Sequence, residues 1–320
     1  MKEPAIDTHA HLWPDAYLER LGDLGADGTA IAQGMGASDS EEDLEKRFKM
    51  MAAAGVETQV LSATPQSPYY GTAAEALASA QMINDTYAHL IEKHPGKFLA
   101  YGAVPLPHVK EAIGEAKRCL EELKFEGIAV NTYIGSAYPF DDQFYPFWEA
   151  LNEQGTIVYV HPTGNGACSP MVNDRDLEWV VGAPIEDMLC VFHLLKSDIP
   201  YRLKNLTFHI AHLGGGLGFQ LQRLEDNYED WDAFPASPTE TLRDRFYFDA
   251  ANFLDEALAL SVKVFGADKI LMGSDFPYFQ NEKYVRAADY IRQADLTDEE
   301  KTKILQDNAK ALYRHYQDEA

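Results

Sequence analysis

The chain has 320 residues, of which 46% are hydrophobic and 12% aromatic, so it can bury a large core. Its formal net charge is −24, which repels phosphate backbones and anionic lipid surfaces, and we expect neither nucleic acid nor a membrane as a partner. No stretch approaches the roughly 18 consecutive apolar residues that a membrane-spanning helix needs.

Cysteine usage favours a reducing compartment. Cys119, Cys168 and Cys190 are too few and too widely spaced to form a disulfide framework. The first residues also lack the apolar stretch of a secretory signal. We therefore expect a cytoplasmic protein.

Short runs rich in β-branched and aromatic residues alternate with longer amphipathic segments along the chain. We predict eight strands, at 5–9, 57–63, 98–104, 126–132, 156–161, 206–212, 245–251 and 269–275. Their regular alternation with helices predicts a protein of the α/β class, a (β/α)8 TIM barrel rather than a doubly wound sheet. No internal repeat or low-complexity linker divides the chain, so residues 1–320 are predicted to form one domain.

The segment 13–40, directly after the first strand, interrupts this alternation. It is rich in glycine and far longer than a usual βα loop. Because βα loops lie on the catalytic face of a barrel, this long loop insertion is either a mobile lid over the site or an insertion without a role in catalysis.

The helix that follows the insertion has recognisable ends. Ser40 is a residue type that caps helix N-termini, and acidic residues fill the first turn after it. Gly55 lies where a glycine commonly ends a helix. We therefore predict a helix between these two residues.

Several predicted strands end in residues that bind metals or transfer protons. The first runs into His9-Ala10-His11, the fifth ends at His161, the sixth at His212 and the eighth at Asp275. Two histidines spaced two apart occur by chance, although both can point to the same side of a strand. The C-terminal ends of all barrel strands meet at one face, however, so four such strand ends together predict a metal site there.

Other histidines have simpler explanations. His209 precedes His212 by three residues, and the alternation of side chains along a strand turns it towards the surrounding helices. We expect it to have a packing role there.

Taken together, the strand-end motifs resemble those of a known family. HxH after the first strand, HP after the fifth, HxGG after the sixth and GSDxP after the eighth are similar to motifs of the amidohydrolase superfamily. They most resemble its aminocarboxymuconate semialdehyde decarboxylase-like branch, which includes 6-methylsalicylate and γ-resorcylate decarboxylases. The resemblance extends over most of the chain, through RFKMMAAAGVETQVLSATP (47–65), KHPGKFLAYGAVPLP (93–107), FYFDAA (246–251) and ILQDNAKALY (304–313).

This resemblance implies one divalent metal, zinc first and manganese as the alternative, with four ligands: His9, His11, His161 and Asp275. His212 and Asp275 would be the catalytic residues, with His212 as an acid/base beside the metal. Members with two metals use a carboxylated lysine on the fourth strand. This chain has Asn131 there, so a single metal is expected.

The resemblance also suggests substrate-binding residues and a homodimer. Arg47 and Arg223 have the spacings of two carboxylate-binding arginines in the aminocarboxymuconate enzyme, one of which reaches across a dimer interface. The alternative for both is an ordinary ion pair on a helix surface. Four aromatic residues near the strand ends either stack on a planar substrate or pack in the core: Trp13, Tyr133, Phe276 and Tyr278.

The expected activity is non-oxidative decarboxylation of an aromatic or unsaturated carboxylic acid, such as a hydroxybenzoate or a muconate semialdehyde. The alternative is a hydrolase that uses the same metal to activate water against a lactone, an amide or a carbon–carbon bond of a diketo acid. An inactive barrel that serves as a scaffold would be expected to lack a ligand, and every expected position is filled.

Overall fold

In a computed structural model, which describes residues 2–318, eight parallel strands form one sheet in chain order. The sheet closes where the backbone N–H of Asp275 donates to the carbonyl of His9, and that of His11 donates to the carbonyl of Phe276. The strands are β1 (Ala5–His11), β2 (Val56–Ser62), β3 (Phe98–Ala103), β4 (Gly127–Asn131), β5 (Ile157–His161), β6 (Thr207–Ile210), β7 (Phe246–Asp249) and β8 (Ile270–Leu271).

Helices follow the strands and surround the sheet, so the predicted (β/α)8 barrel is confirmed. Their bounds in chain order are α1 (Asp15–Asp23), α2 (Thr29–Gln33), α3 (Glu41–Ala54), α4 (Ala73–Lys93), α5 (Val109–Glu121), α6 (Tyr145–Glu153), α7 (Pro170–Asn173), α8 (Ala183–Lys196), α9 (Ile199–Arg202), α10 (Leu217–Trp231), α11 (Pro238–Arg245), α12 (Asp255–Phe265), α13 (Glu282–Gln293), α14 (Asp298–Thr302), α15 (Asn308–Leu312) and α16 (Arg314–Asp318). None of the helices in the described residues combines the length and the apolar composition that crossing a bilayer requires.

The insertion after β1 is more ordered than a glycine-rich loop, because it contains α1 and α2. Its first residues are anchored to the barrel: Trp13 Nε1 donates to the carbonyl of Ala63 at 2.7 Å, and Tyr17 Oη donates to that of Gln66 at 2.6 Å. Tyr17 and Leu21, four residues apart on α1, are fully buried. The predicted long insertion is present, but part of it is helical, because its apolar residues recur at helical spacing and most of its glycines follow α1.

The predicted ends of α3 are confirmed. The Ser40 hydroxyl accepts a hydrogen bond from the backbone N–H of Asp43, which caps the first turn. Gly55 ends the helix with φ of 71°, in the left-handed region that glycine adopts without strain. The helix therefore begins and ends where the sequence predicts.

A small cluster of buried side chains fills the inside of the barrel below the strand ends. The rings of Tyr101 and Tyr159 stack there with centroids 5.1 Å apart, and the hydroxyls of Tyr101 and Tyr313 lie 2.7 Å apart. His209 belongs to this interior: its Nδ1 is 2.9 Å from the Tyr101 hydroxyl.

The prediction that His209 faces the helices was therefore wrong. It relied on strand alternation continuing from His209 to His212. In the structure β6 ends at Ile210, and the backbone of His212 is left-handed, with φ of 54°. The alternation ends with the strand, so both imidazoles reach the barrel axis.

Gly127 offers a test of how tightly the strands fit. A Cβ atom at Gly127 would lie 2.2 Å from the carbonyl oxygen of Ile157, on the neighbouring strand. We expect Gly127→Ala to lower the free energy of unfolding by about 1–3 kcal/mol, because the extra methyl group forces β4 and β5 apart. The measurement is the midpoint of urea denaturation followed by circular dichroism.

Gly114→Ala is the matched control, since Gly114 lies within α5 and a Cβ there meets nothing within 4 Å. This change is expected to stabilise the protein by about 0.5–1 kcal/mol through helix propensity. If both variants have the same midpoint, the close contact between β4 and β5 does not limit the stability of the protein.

Candidate metal centre

Four side chains converge where the strands end at the top of the barrel. His9 and His11 lie on β1, His161 ends β5, and Asp275 follows β8. One ligand atom from each lies within 4.8 Å of all the others, and all four residues are buried. The topology thus brings together residues that are up to 266 positions apart in the sequence.

The unused atoms of this group fit a divalent cation. Within the described residues, Nε2 of each of the three histidines and Oδ1 of Asp275 are buried and form no hydrogen bond, although Oδ1 of Asp275 lies 3.3 Å from Nε2 of His9 and 3.5 Å from that of His11. Each buried polar atom without a hydrogen bond costs about 1–3 kcal/mol, so four that converge fit one shared ligand. Imidazole nitrogen and carboxylate oxygen are donors that suit zinc and manganese alike.

The other nitrogen of each imidazole is held by the protein. Nδ1 of His11 lies 3.0 Å from the Ser62 hydroxyl, and Nδ1 of His161 lies 2.8 Å from the carbonyl of Pro162. Nδ1 of His9 lies 3.0 Å from Oδ2 of Asp249, at the end of β7. Contacts of this kind orient a metal-binding histidine and leave the lone pair of its Nε2 directed at the metal.

Electrostatics favours a cation at this point. Burial lowers the pKa of His11 to about 4 and that of His161 well below its usual value, so both imidazoles are neutral donors at neutral pH. Burial also opposes protonation of His9, but Asp249 and Asp275 outweigh it and raise its pKa to about 9. The two carboxylates therefore attract positive charge to the place where the Nε2 atoms meet.

The GSD sequence that carries Asp275 has a reason for each residue. A Cβ at Gly273 would lie 2.9 Å from the Cβ of His9, so only glycine lets the chain pass β1 this closely. The hydroxyl of Ser274 donates to Oδ2 of Asp7 at 2.6 Å, which ties this turn to β1. Asp275 itself lies beyond the end of β8, with φ of 56°.

His212 lies beside the four potential ligands. Its Nε2 is 3.5 Å from Oδ2 of Asp275, and its Nδ1 is 2.8 Å from Oδ2 of Asp187, a buried residue of α8. Burial opposes protonation of His212, but Asp187 outweighs this effect and raises the pKa of His212 above its ordinary value. The pair can hold a proton next to the metal site.

Sequence reasoning missed Asp187, because no motif surrounds it. It approaches His212 through a close contact between two segments: a Cβ at Gly215 would lie 1.7 Å from the carbonyl oxygen of Pro184, one helical turn before Asp187. The glycines of HLGGG therefore let the loop after β6 reach α8. A charged residue within the apolar sequence of α8 was the only available signal.

Arg47 does not reach this site through its side chain. The guanidinium is buried, donates to the carbonyl of His11 at 2.7 Å and to Gln59 Oε1 at 3.1 Å, and lies over the ring of Phe276. The prediction of a surface ion pair was wrong because α3 turns Arg47 inwards, against β1. The structure does not place Arg47 where it would contact a substrate either, since its donors hold the backbone behind His11.

Arg223 is exposed on α10, where it lines a separate shallow cavity with Phe192 and Lys196. The structure does not bring it to the metal site of its own chain.

Of the four predicted aromatic residues, Trp13 stacks on the ring of His11 with centroids 5.5 Å apart and is buried behind it. Tyr278 reaches the open side of the site.

Tyr133 and Phe276 are nearly fully buried and pack away from the opening. Tyr133 contacts the ring of Tyr138 at a centroid distance of 5.0 Å, and Phe276 lies beneath Arg47. Both therefore have the packing role that was the alternative to substrate contact.

A cavity of about 360 Å³ opens directly onto the site. His161, His212 and Asp275 form its floor. Its walls come from loops that carry no recognisable motif. Trp179 and Val180 lie between β5 and α8 and face the cavity beside Tyr278, and sequence reasoning missed Asn252, Phe253 and Phe279.

Asp249 offers a test of the metal site that does not depend on turnover. We expect Asp249→Asn to weaken binding of Zn²⁺ or Mn²⁺ by about 10–100-fold, because the variant loses the carboxylate that orients His9. The measurement is competition with a chromogenic chelator, on protein first stripped of metal.

Asp187→Asn is the control, since Asp187 contacts His212 and none of the four ligands. It should leave the metal affinity close to that of the natural protein. Equal affinities for the natural protein and Asp249→Asn would show that this contact does not support the metal.

Comparisons with known proteins agree with this geometry. A family model described as Amidohydrolase matches residues 6–315. Decarboxylase yanB from Aspergillus niger is 31% identical over 302 residues, which are 88% of this chain and 80% of that protein. The 2-amino-3-carboxymuconate-6-semialdehyde decarboxylase of Dictyostelium discoideum is 29% identical over 242 residues, or 74% of this chain and 67% of that protein.

A solved structure shares the fold. The dihydroxybenzoic acid decarboxylase of Polaromonas sp. JS666, with bound manganese and the inhibitor 2-nitroresorcinol, superposes with a TM-score of 0.82 at 22% identity and covers 97% of each chain. The relatives confirm the predicted branch and support the predicted class of enzyme, a carboxy-lyase. The chain therefore belongs to the amidohydrolase family, in the branch that contains these decarboxylases.

Proposed function

We propose that this protein is a metal-dependent, non-oxidative decarboxylase of an aromatic or unsaturated carboxylic acid. The observation that carries the proposal is the meeting of a partly buried His212–Asp187 pair with four donor atoms that make no hydrogen bond, at the floor of an aromatic cavity. The four donor atoms would hold a cation that attracts the substrate carboxylate. His212 can then protonate the carbon from which the carboxylate is lost. The decarboxylases among its relatives support the same reaction class.

One divalent metal is proposed, with Zn²⁺ expected first and Mn²⁺ as the alternative. The donor set of three imidazoles and one carboxylate suits zinc, and the manganese in the Polaromonas structure supports the alternative. β4 carries no lysine that could bridge a second metal to the first. Asn131 occupies that position, where it accepts from the Ser67 hydroxyl and donates to the carbonyl of Pro65.

When bound, the metal acts as a Lewis acid that draws electron density from substrate oxygens. Oδ2 of Asp187 accepts from Nδ1 of His212, which directs Nε2 at the site. The same carboxylate raises the pKa of His212, so the ring is doubly protonated and Nε2 also carries a proton. As the carbon–carbon bond to the carboxylate breaks, the electron pair stays on the substrate carbon and takes the proton from Nε2. Carbon dioxide leaves, and His212 regains a proton from water.

Asp275 is assigned to the metal and to orientation rather than to proton donation. Burial opposes its ionisation, but His9 and the neighbouring imidazoles outweigh burial and hold the pKa of Asp275 well below its usual value. A carboxylate that stays charged accepts hydrogen bonds and has no proton to give. Its Oδ2 lies 3.5 Å from Nε2 of His212 and orients the N–H that donates the proton.

The reaction is tested with metal-loaded protein and a panel of hydroxybenzoates that includes dihydroxybenzoates and methylsalicylates. We expect release of carbon dioxide and, in deuterated water, one deuterium on the carbon that lost the carboxylate. Hydrolysis of lactones or amides without any release of carbon dioxide would contradict the proposal and favour the hydrolase alternative.

His212→Asn serves as the matched variant in this assay. It should lower kcat by about 10²–10⁴-fold, because the proton donor is lost, with little change in metal content. His193→Asn, whose ring packs on Tyr138 away from the cavity, is the control and should leave kcat unchanged.

A homodimer is proposed as the assembly. Two large apolar side chains are exposed on α10, Phe219 at 80% and Trp231 at 78% accessibility, and exposed aromatic residues are enriched at protein interfaces. Phe219 and Arg223 lie one turn apart on that helix, so an interface there would cover the arginine as well.

Size-exclusion chromatography with light scattering tests this assembly. We expect twice the chain mass for the natural protein and a shift to the monomer for Phe219→Glu, because a carboxylate cannot be buried in an apolar interface without a partner. Ile31→Glu, at an apolar residue of α2 that is 70% accessible, should leave the dimer intact. A monomeric natural protein would refute the assembly.

A cytoplasmic location is proposed as well. All three cysteines are free, and burial raises the pKa of the Cys119 and Cys190 thiols well above the ordinary value. Free thiols are typical of proteins kept in a reducing compartment.

A further inference from the structure

We propose that the cavity selects a singly charged, planar ring acid and excludes an acid with a second anionic group. This inference rests on the proposed function and narrows its substrate class. A hydroxybenzoate carries one carboxylate, whereas a carboxymuconate semialdehyde carries two. The chemistry of the walls distinguishes these two classes.

The walls of the cavity contain no cationic side chain besides the histidines of the floor. Among the described residues that line it, none is lysine or arginine, and the walls are mainly apolar or aromatic. The guanidinium of Arg286 lies over the ring of Phe253, 5.2 Å from its centroid, and is not part of the lining. A second carboxylate would therefore meet apolar surface in place of a positive charge.

The arginines suggested by resemblance do not change this picture within the chain. Both outer nitrogens of Arg47 are used, by the carbonyl of His11 and by Gln59. Arg223 lies on the exposed face of α10 and lines a different cavity. Neither supplies a charge to the walls.

A second carboxylate has no cationic side chain to pair with in these walls. Held against them it would lose hydration without gaining an ionic partner, which is disfavoured.

The shape of the cavity suits a flat ring. Trp179 and Tyr278 stack with centroids 5.9 Å apart and an angle of 28°, and Phe253 meets Phe279 edge to face at 4.8 Å. A Cβ at Gly164 would lie 2.2 Å from the Trp179 ring, so only glycine lets the indole pack directly against the loop after β5. A volume of about 360 Å³ is at the small end for ligand sites, which fits a single ring.

The test compares two unreactive probes of similar shape on the metal-loaded protein, m-toluate with one carboxylate and isophthalate with two. Binding is measured by isothermal titration calorimetry, which does not depend on turnover. We expect isophthalate to bind about 10-fold or more weakly than m-toluate. Isophthalate binding equal to or tighter than m-toluate would overturn the proposal.

A gain-of-function variant sharpens the result. Val180→Arg places a guanidinium in the lining and should shift the preference towards isophthalate by about 10-fold or more. Val181→Arg, at the next residue but outside the lining, adds the same charge and should not shift it. An equal shift in both variants would show that overall charge, rather than the walls, sets the preference, and would overturn the proposal.

The outcomes separate this inference from the proposed function. Carbon dioxide release from a dicarboxylic acid, together with tight isophthalate binding, overturns the inference and leaves the decarboxylase intact. If that binding is lost in Arg223→Gln, the second carboxylate belongs to an arginine from a partner subunit. Preference for m-toluate without carbon dioxide release from any acid supports the inference about the cavity while the proposed reaction fails.

Discussion

The contacts of one buried carboxylate, Asp249, set the geometry on which the site depends. Its Oδ2 lies 3.0 Å from Nδ1 of His9 and 3.2 Å from Nε2 of His209, and its Oδ1 accepts from the backbone N–H of His212. A fully buried carboxylate is costly unless several groups share its charge, so these contacts stabilise one another. Through them the end of β7 fixes a metal ligand and the loop that carries the proton donor. His209 then continues the polar chain to Tyr101 in the barrel interior.

Two further buried charges hold the backbone that presents the ligands. Asp7 accepts from both the N–H and the hydroxyl of Ser274, which joins β1 to the turn before Asp275. Arg47 donates to the carbonyl of His11 from the opposite side. Burial lowers the pKa of Arg47 to about 10, so the guanidinium stays charged at neutral pH. The resemblance suggested that Arg47 binds the substrate, but in the structure its guanidinium holds the end of β1.

The positions of the potential ligands could be predicted because they follow from topology. Once eight strands alternate with helices, their C-terminal ends lie at one face, and His9, His161 and Asp275 meet there whatever the loops do. The prediction was wrong for His209, because side-chain alternation holds only within a strand, and β6 ends two residues before His212. Asp187 could not be predicted, since its position depends on the close approach between the loop after β6 and α8. The direction of Arg47 likewise depends on how α3 packs against β1.

The large negative charge of the chain has a consequence for the order of binding. Asp249 and Asp275 are ionised close to the cavity floor, and the net charge of −24 adds to the repulsion of any anion. Without a cation at the four donor atoms, a carboxylic acid anion has only the imidazoles of His9 and His212 to offset these charges, and Asp249 and Asp187 already pair with them. A bound divalent cation would make the potential at the floor more positive. The metal is therefore expected to bind first and the acid second, so the metal site decides when the substrate can enter.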